Sequence, residues 1–345
     1  MADNGSKLGF GIIGCGVIAD FHANALFELS ADAEIVGVAD VNYDAAEKFA
    51  NRHRIRAYPD VAALLADKAV DVVCICTPSG YHADVVKQAA EASKHIVVEK
   101  PMAITTEQHD AIVRCCEANG VMLTSIAQSR FSRSVIRTKN AVEEGLLGRI
   151  VTADIYMKYF RSQEYYDSGS WRGTKRLDGG GALMNQGVHG IDLLTWMAGD
   201  VESVFARCAT QVRDIEVEDT AIASLKFKNG ALGNIEGTTS VYPAQDTRIE
   251  IHCEKGSMIV SDKGILQWSI EGSDEQAPEI QAPVFKMKDD PTKLPGTSHV
   301  VPLGDMADAI INDRKPAVTP REARKAVDLI LAIYQSSDEK REITL

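Results

Sequence analysis

Residues 8–16 read Leu-Gly-Phe-Gly-Ile-Ile-Gly-Cys-Gly, which joins an apolar strand pattern to a glycine-rich turn, and a helical pattern follows directly. A turn of this kind brings backbone N–H groups and a helix N-terminus to one point, which suits a pyrophosphate. Its glycines, Gly11, Gly14 and Gly16, have a shifted form of the usual Gly-x-Gly-x-x-Gly spacing. The turn alone is therefore equally compatible with dinucleotide binding and with an unliganded strand-to-helix connection.

Asp40 decides between these two interpretations. It ends the apolar run 35–39, roughly two dozen residues after the turn, where a carboxylate would accept hydrogen bonds from an adenosine ribose. A solvated aspartate at a strand end is the alternative, but the glycines and the strand–helix–strand order favour dinucleotide binding. Because an acid here repels a 2′-phosphate, NAD is favoured over NADP. Val17 and Ile18, which begin the helix, belong to the same predicted cofactor-binding turn.

Short apolar segments alternate with amphipathic segments through the first third of the chain. This pattern predicts a parallel sheet covered on both faces, doubly wound by right-handed crossovers, with ligands at the carboxyl ends of its strands. The predicted strands are Leu8–Ile13, Ala33–Asp40, Val70–Thr77, His95–Lys100 and Val121–Ile126. The predicted helices are Ala19–Leu29, Asp44–Asn51, Val61–Asp67, Ala83–Ala92 and Thr106–Ala118.

The pattern changes beyond Ala127. Polar and apolar residues alternate over 220–228 and 248–252, and Asn229-Gly230 marks a hairpin turn, so we predict an antiparallel sheet with one covered face. The other predicted segments are a helix over Ser134–Gly145, a loop over Gly272–Pro295 and a last helix over Arg321–Ser336.

Length and charge bound the class of protein. A chain of 345 residues suits about two domains. We therefore predict an α/β fold with a nucleotide-binding domain over 1–126 and a second domain over 127–345, and we expect the last helix to dock back on the first domain. The net charge of −12 argues against nucleic acid or an anionic membrane as the main partner. No apolar run approaches the ~20 residues of a membrane span.

Two features of the sequence favour a cytoplasmic location. The seven cysteines are odd in number and have no Cys-x-x-Cys spacing, so we expect free thiols in a reducing compartment. The polar N-terminus lacks the apolar core of a signal peptide. No set of Cys and His residues has zinc-ligand spacing, so no metal is predicted.

Two further clusters carry residues suited to chemistry. Glu99 and Lys100 end a predicted strand at the edge where ligands bind, although a lysine at a strand end is often simply solvated. The second cluster starts with three glycines and continues into a helical pattern that carries Asn185, His189 and Asp192. If the segment is α-helical throughout, Asn185 and His189 lie one above the other at i, i+4, with Asp192 beside them. A lone histidine would more often be an ordinary helix residue.

Taken together, these motifs resemble the Gfo/Idh/MocA family, the group of glucose–fructose oxidoreductase, inositol dehydrogenase and rhizopine-catabolism proteins. The resemblance implies an N-terminal Rossmann domain and a C-terminal α/β domain on a large, mostly antiparallel open sheet. The open face of that sheet usually forms the interface of a homodimer or homotetramer, which the resemblance implies here too. The motifs are Gly11–Gly16, Asp40, Cys76–His82, Glu99–Pro101 and Gly179–Asp192.

The family pattern also implies roles for single residues. Lys100 would hold the reacting hydroxyl and stabilise the alkoxide, and His189 would act as general base or acid. Glu99 would lie beside the nicotinamide ribose. The other residues expected to line the cofactor are Thr77, Pro78, Ser79 and His82, with Trp171 and Arg172 nearby.

Asn185 departs from the pattern, since inositol dehydrogenase-like members have Asp at this position. An amide orients a substrate but cannot share a proton as a carboxylate does. Asn also occurs here in members that act on nucleotide-linked or anhydro sugars. We therefore predict an NAD-dependent dehydrogenase or reductase for a secondary hydroxyl or ketone of a sugar or cyclitol, with a pyranose C3 hydroxyl as the first guess. Predicted substrate contacts besides Lys100, Asn185 and His189 are Arg130, Tyr159, Arg161, Tyr165 and Tyr166.

Two other functions stay open on the sequence. Some relatives oxidise a sugar transiently, eliminate its glycosidic substituent and reduce the product again, so that they are glycosidases without net redox chemistry. A non-catalytic regulator that binds NAD and a sugar is the other alternative. The presence of both Lys100 and His189 argues against a pure binder.

Overall fold

The computed structural model describes residues 7–274 and 298–345, which fall into two compact units. The first unit takes its residues from Met1–Gln128 and Pro295–Arg324, and the second from Ser129–Leu294 and Lys325–Leu345. In the described part of the chain, no helix is long and apolar enough to cross a membrane. The described cysteines are all free thiols.

The elements of the structure follow one another in strand–helix alternation first and in a run of strands later. The strands are β1 (Leu8–Ile13), β2 (Ala33–Ala39), β3 (Arg56–Ala57), β4 (Val72–Ile75), β5 (His95–Val98), β6 (Leu123–Ser125), β7 (Ile150–Lys158), β8 (Val201–Ala209), β9 (Thr220–Phe227), β10 (Leu232–Thr238), β11 (Arg248–Cys253), β12 (Gly256–Ser261), β13 (Gly264–Ile270) and β14 (Ile343–Thr344). The α-helices are α1 (Val17–Glu28), α2 (Tyr43–His53), α3 (Val61–Ala66), α4 (His82–Glu91), α5 (Thr106–Ala118), α6 (Arg133–Glu143), α7 (Gln163–Asp167), α8 (Val188–Ala198), α9 (Val300–Ile311) and α10 (Pro320–Glu339).

The first unit is built on a six-stranded parallel sheet with the order β3-β2-β1-β4-β5-β6. Strand β1 pairs with β2 on one side and with β4 on the other, so the strand order reverses there, and ligands of such sheets bind at that reversal. The predicted Rossmann fold is confirmed. Strand β3 has no sequence signal, because its two residues are too few to form a pattern.

Helix α9 completes the first unit, although no helix is predicted there from the sequence. Its residues Leu303 and Met306 are buried in the same hydrophobic cluster as Leu26 of α1 and Phe10 of β1. The predicted loop over Gly272–Pro295 falls largely on residues 275–297, which lie outside the described part of the chain.

The second unit is built on an eight-stranded sheet with the order β13-β12-β11-β7-β10-β9-β8-β14. All neighbouring strands are antiparallel except β7 and β10, so the predicted mostly antiparallel sheet is confirmed. Along β9, Ala221, Ala223 and Leu225 are buried, whereas Ile222 on the other face is 55% exposed. The buried face packs against α8 and α10.

The last helix divides between the two units: its first residues, Ala323 among them, belong to the first unit and pack against a hydrophobic cluster of that unit. Helix α10 spans the predicted Arg321–Ser336, but its buried residues, such as Leu329, Ile330 and Ile333, join the core of the second unit. An amphipathic helix shows which of its faces is buried without showing which sheet covers that face.

Candidate active site

The glycine turn leaves room for a ligand at the N-terminus of α1. Gly14 has a φ of +93°, and a Cβ there would lie 2.9 Å from the carbonyl of Cys76. A Cβ on Gly16, the N-cap of α1, would meet no described atom within 4 Å. Open space therefore lies beside Gly16, at the N-terminus of α1 and the positive end of its dipole, which fits the pyrophosphate of a dinucleotide.

The carboxylate of Asp40 is fixed against this turn. Its Oδ2 accepts a hydrogen bond from Cys15 N–H and its Oδ1 one from Asn42 N–H, both at 2.8 Å. Burial, with the Asp40 charge adding to it, raises the pKa of the Cys15 thiol to about 12, so this cysteine stays protonated. The half-buried Asp40 side chain is therefore fixed by backbone donors on both of its oxygens, and its contact with a ribose stays a prediction.

His82 clamps two loops at the carboxyl edge of the first sheet. Its Nδ1 lies 2.8 Å from the carbonyl oxygen of Pro101, and its Nε2 lies 2.9 Å from that of Thr77. Burial lowers the pKa of His82, and the two carbonyls oppose that shift. The loop after β4, which carries Thr77, Pro78 and the buried Ser79, is thereby tied to the turn after Lys100. A role of these residues as cofactor lining stays a prediction.

Glu99 is held by two histidines that the sequence analysis misses. Its Oε1 lies 2.9 Å from His22 Nε2 and 2.8 Å from His299 Nε2, and its Oε2 accepts the backbone N–H of Lys100 at 3.1 Å. Burial disfavours the charge, but the two imidazoles hold the pKa of Glu99 well below its usual range. Because an ionised carboxylate only accepts hydrogen bonds, both Nε2 atoms carry a proton.

Among the described residues, these three side chains also lie close enough together to bind one metal ion. Both imidazoles share a single carboxylate oxygen at distances typical of N–H···O hydrogen bonds, so we interpret the group as a hydrogen-bond network. The network fixes the backbone at Lys100, at the end of β5. In sequence, the only trace of it is a histidine on the buried face of α1.

In the second unit, the glycine cluster lies against Glu218. A Cβ on Gly181 would come within 1.8 Å of the Glu218 carbonyl oxygen, so only glycine fits there. The carboxylate of Glu218 accepts the N–H groups of Gly181 and Leu183 at 2.9 Å each and the hydroxyl of Tyr334 at 2.8 Å. These bonds satisfy backbone donors that the start of a helix leaves open.

The helix that follows begins with a π-helical segment, Ala182–Gly187, before α8 starts at Val188. The predicted α-helical i, i+4 relation between Asn185 and His189 is therefore interrupted, because a π turn is wider than an α turn. Single π turns occur frequently at functional sites. His189 is 7% exposed.

Asp192 pairs with Arg130. The guanidinium donates from Nε to Oδ2 at 2.7 Å and from Nη2 to Oδ1 at 2.6 Å, and it lies 5.3 Å from the ring centre of Trp196. This bidentate ion pair ties the segment before α6 to α8. The predicted contact of Arg130 with a substrate is untested by this geometry.

Replacing Asp192 with Asn is expected to destabilise the fold by about 3 kcal/mol or more, because it leaves the buried Arg130 charge without its counterion. Chemical denaturation monitored by circular dichroism measures this. The matched control is Glu254→Gln in the exposed pair with Arg149, where we expect less than about 1 kcal/mol. Equal losses in the two variants would show that the Arg130 pair has no special weight.

An aromatic and cationic group surrounds Tyr165 in the second unit. The guanidiniums of Arg161 and Arg172 lie 5.6 and 4.2 Å from the centre of its ring, and its hydroxyl accepts a hydrogen bond from Gln186 Nε2 at 3.2 Å. Arg172 also covers the ring of Trp171 at 4.7 Å. The predicted Trp171–Arg172 element is thus connected through Tyr165 to the π-helical segment.

Two other predicted substrate contacts, Tyr159 and Tyr166, are buried and hydrogen-bonded within the second unit. Tyr159 is 1% exposed, and its hydroxyl lies 2.7 Å from that of Thr247. The hydroxyl of Tyr166 lies 2.8 Å from that of Thr239, and burial raises the pKa of Tyr166 to about 12. Substrate binding by these two tyrosines stays a prediction.

Comparison with known proteins identifies the family of this chain. Residues 8–126 match the oxidoreductase family model with an NAD-binding Rossmann fold, and residues 135–259 match the GFO/IDH/MocA C-terminal domain. The chain belongs to the Gfo/Idh/MocA family. It is an NAD-binding oxidoreductase of the sugar and cyclitol dehydrogenase group, which confirms the family, cofactor and enzyme class expected from the sequence.

Three relatives cover nearly the whole chain. The WlbA dehydrogenase from Bordetella pertussis, in complex with NADH and UDP-GlcNAcA, is 34% identical over 98% of each chain with a TM-score of 0.91. The WlbA structure from Chromobacterium violaceum, with the same two ligands, is 32% identical over 100% of this chain and 97% of that one with a TM-score of 0.89. Myo-inositol 2-dehydrogenase of Thermotoga maritima is 27% identical over 97% of this chain and 98% of its own length.

The contacts of Asp40 predict a specific change in cofactor use. Asp40→Ser is expected to raise KM for NAD by about tenfold to a hundredfold, the range of one lost charge-assisted hydrogen bond, and to improve the relative use of NADP. Initial rates with each cofactor measure this. Asp44→Ser, in the exposed first turn of α2, is the matched control and should leave the NAD to NADP ratio unchanged. An unchanged ratio in both variants would contradict the ribose contact.

Proposed function

We propose that this protein is an NAD-dependent dehydrogenase that oxidises a secondary ring hydroxyl of a nucleotide-linked sugar acid of the UDP-GlcNAcA type. The observation that carries the proposal is the likeness to WlbA, which extends over 98% of this chain at 34% identity. Asn185 supports it, since this amide is the residue at which the chain departs from inositol dehydrogenase-like members. Arg161 and Arg172 beside Tyr165 supply cationic groups suited to an acid or a pyrophosphate.

The residues of the first unit would bind the cofactor and hold the substrate oxygen. The turn at Gly14–Gly16 and the carboxylate of Asp40 would hold the pyrophosphate and the ribose of NAD. When bound, NAD supplies a hydride acceptor. The ammonium of Lys100 would bind the hydroxyl to be oxidised and stabilise the negative charge that develops on its oxygen.

His189 would take the proton of that hydroxyl, because an imidazole accepts and donates protons near neutral pH. Asn185 would orient the substrate by hydrogen bonding. We also propose that the protein forms a homo-oligomer through the open face of the second sheet. That face exposes large apolar residues on neighbouring strands, among them Phe205, Ile222 and Leu232, and such patches mark protein interfaces.

NADH absorbance during incubation of the purified protein with NAD and UDP-GlcNAcA tests the proposed function. We expect NADH to form with UDP-GlcNAcA and not with myo-inositol. Turnover of myo-inositol alone would show a cyclitol dehydrogenase instead. Release of a glycosidic substituent without net NADH would identify the redox-neutral glycosidase.

A further inference from the structure

Asp178 lies directly against the amide of Asn185. The Nδ2 of Asn185 donates a hydrogen bond to Oδ1 of Asp178 at 2.7 Å, and Oδ2 of Asp178 accepts the backbone N–H of Gly173 at 2.9 Å. Asp178 is 2% exposed, and these two hydrogen bonds fix its carboxylate. Neither the sequence motifs nor the roles proposed above include Asp178.

The path of the chain brings the two residues together. The N–H groups of Asp178 and Gly179 both donate to the carbonyl of Thr174, which closes a compact turn after Trp171–Arg172. Gly179 then adopts a φ of +81°, a left-handed conformation that reverses the chain toward the π-helical segment. The carboxylate of Asp178 therefore connects the Trp171–Arg172 element with the residue that carries the amide.

The pairing fixes which end of the amide faces a substrate. The oxygen and nitrogen of an Asn side chain are nearly identical in shape, so their orientation is set by the hydrogen bonds they make. Oδ2 of Asp178 accepts the backbone N–H of Gly173, and an ionised carboxylate accepts a donor at Oδ1 as well. Because such a group cannot donate, the NH₂ of Asn185 must face it, and the carbonyl Oδ1 must point elsewhere.

We propose that Asp178 is a positioning residue that makes Asn185 a hydrogen-bond acceptor for the substrate. This inference rests on the proposed function, because it assigns Asn185 to the substrate. An acceptor at this position selects a group that carries a proton, such as a sugar hydroxyl, and leaves a carboxylate or a carbonyl of a competing ligand unpaired. The pairing with Asp178 therefore decides which kind of substrate group Asn185 binds, whereas an isolated amide could turn either end toward the substrate.

Asp178→Asn reverses the pattern without changing the size of the side chain. The new amide at position 178 would accept the Gly173 N–H through its oxygen and present its NH₂ to Asn185, which must then turn its own oxygen inward and its NH₂ toward the substrate. We expect kcat/KM to fall by about tenfold to a hundredfold, the cost of an unpaired donor. The folded state is checked by thermal unfolding.

A second exchange separates positioning from a merely structural role. Adding Asn185→Asp to Asp178→Asn swaps the two side chains, so that position 185 again receives an N–H donor and offers an oxygen to the substrate. We expect the double variant to recover at least tenfold of the activity that Asp178→Asn loses. Asn185→Asp alone places two carboxylates together and should act better at low pH, where they share a proton. A double variant no better than Asp178→Asn would overturn the proposal.

The matched control is Asp154→Asn in the second sheet. Asp154 also accepts a hydrogen bond from an asparagine amide, that of Asn234, at 2.9 Å. We expect kcat and KM to be unchanged in this variant. Equal effects of Asp154→Asn and Asp178→Asn would also overturn the proposal.

A measurement without substrate keeps this test distinct from that of the proposed function. The ¹⁵N side-chain amide signal of Asn185, assigned by its loss in Asn185→Asp, should shift in Asp178→Asn and stay in place in Asp154→Asn. If UDP-GlcNAcA is not oxidised while this signal shifts, the proposed substrate fails and the positioning holds. If the signal does not shift, the positioning fails whatever the substrate is.

Discussion

Lys100→Met is expected to lower kcat by about a thousandfold or more while it leaves NAD affinity within about twofold. The methionine keeps the length of the side chain but removes the cation that stabilises charge on the substrate oxygen, and preorganised electrostatic groups of this kind contribute about a hundredfold to a thousandfold each. Loss of the hydrogen bond that the ammonium would donate to the reacting oxygen lowers kcat further. Steady-state NADH formation gives kcat, and quenching of protein fluorescence gives the NAD dissociation constant.

We expect so large an effect because hydrogen bonds hold the backbone at Lys100 in place. Its backbone N–H is held by Glu99, and Glu99 is held by His22 and His299. His82 fixes the carbonyl of the following residue, Pro101, at 2.8 Å. A cation on a backbone anchored in this way cannot be replaced by water without loss of its geometry.

Lys94→Met is the matched control, since Lys94 precedes the same strand at its other end. Its ammonium donates to the carbonyls of Asp67 and Val70, so removal should cost about 1–3 kcal/mol of stability and leave kcat unchanged. Ligands bind at the carboxyl ends of parallel strands, where Lys100 lies. If both variants lose activity alike, the effect is one of folding and Lys100 is not catalytic.

The difference between Lys100 and its support also shows what a sequence can predict. Strand β5 and the position of Lys100 follow from a local apolar run, and so do β1, β4 and the glycine turn. The partners of Glu99 do not, because His299 lies 200 residues away and approaches only when α9 packs on α1. A pattern of period two or 3.6 contains no information about such a contact.

The same limit holds in the second unit. The glycine cluster before Asn185 is visible in the sequence, and so is the alternation of β9. Gly181 makes room for Glu218, which precedes that strand, and this contact depends on the tertiary fold. The π-helical start of the segment has no sequence signal, since its residues fit an α-helix equally well.

Glu218→Gln is expected to remove a pH-dependent loss of stability of about 3 kcal/mol. Burial raises the pKa of Glu218 to about 7, although three hydrogen-bond donors oppose the shift. The folded protein therefore binds this proton more tightly than the unfolded chain, whose glutamate has a pKa of 4.5. The stabilisation by the protonated acid is full below about pH 4.5 and is lost as the pH rises through about 7.

The other titratable groups near this carboxylate do not take over its titration. Tyr334 on α10 has a pKa raised well above its usual range by burial and by the Glu218 charge, and burial raises the pKa of the Cys208 thiol on β8 to about 12. Both stay protonated through the neutral range. The change in stability between pH 5 and pH 8 at this place therefore belongs to Glu218.

Glutamine removes the charge, and its oxygen can still accept from Leu183 and Tyr334, but its NH₂ then faces the Gly181 N–H, which loses its acceptor. Urea unfolding should therefore show Glu218→Gln to be less stable than the parent near pH 5, by about 1–3 kcal/mol for the unpaired donor. Between about pH 5 and pH 8 the difference in stability should move in favour of the variant by about 3 kcal/mol, the value of the pKa difference at 1.36 kcal/mol per unit. Parallel pH profiles would contradict a titrating Glu218.

Tyr334→Phe provides the control that ties this titration to the glycine cluster. It removes one of the donors that oppose the rise in the pKa of Glu218, so the loss of stability should move to a higher pH. In the Glu218→Gln background, the same substitution should leave the pH profile unchanged, because no charge remains to be supported. The Glu218 carboxylate accepts the N–H groups of Gly181 and Leu183, at the start of the π-helical segment that carries Asn185. A shift of the pH profile in Tyr334→Phe alone would therefore show that the titrating proton is bound by Glu218 at this helix start.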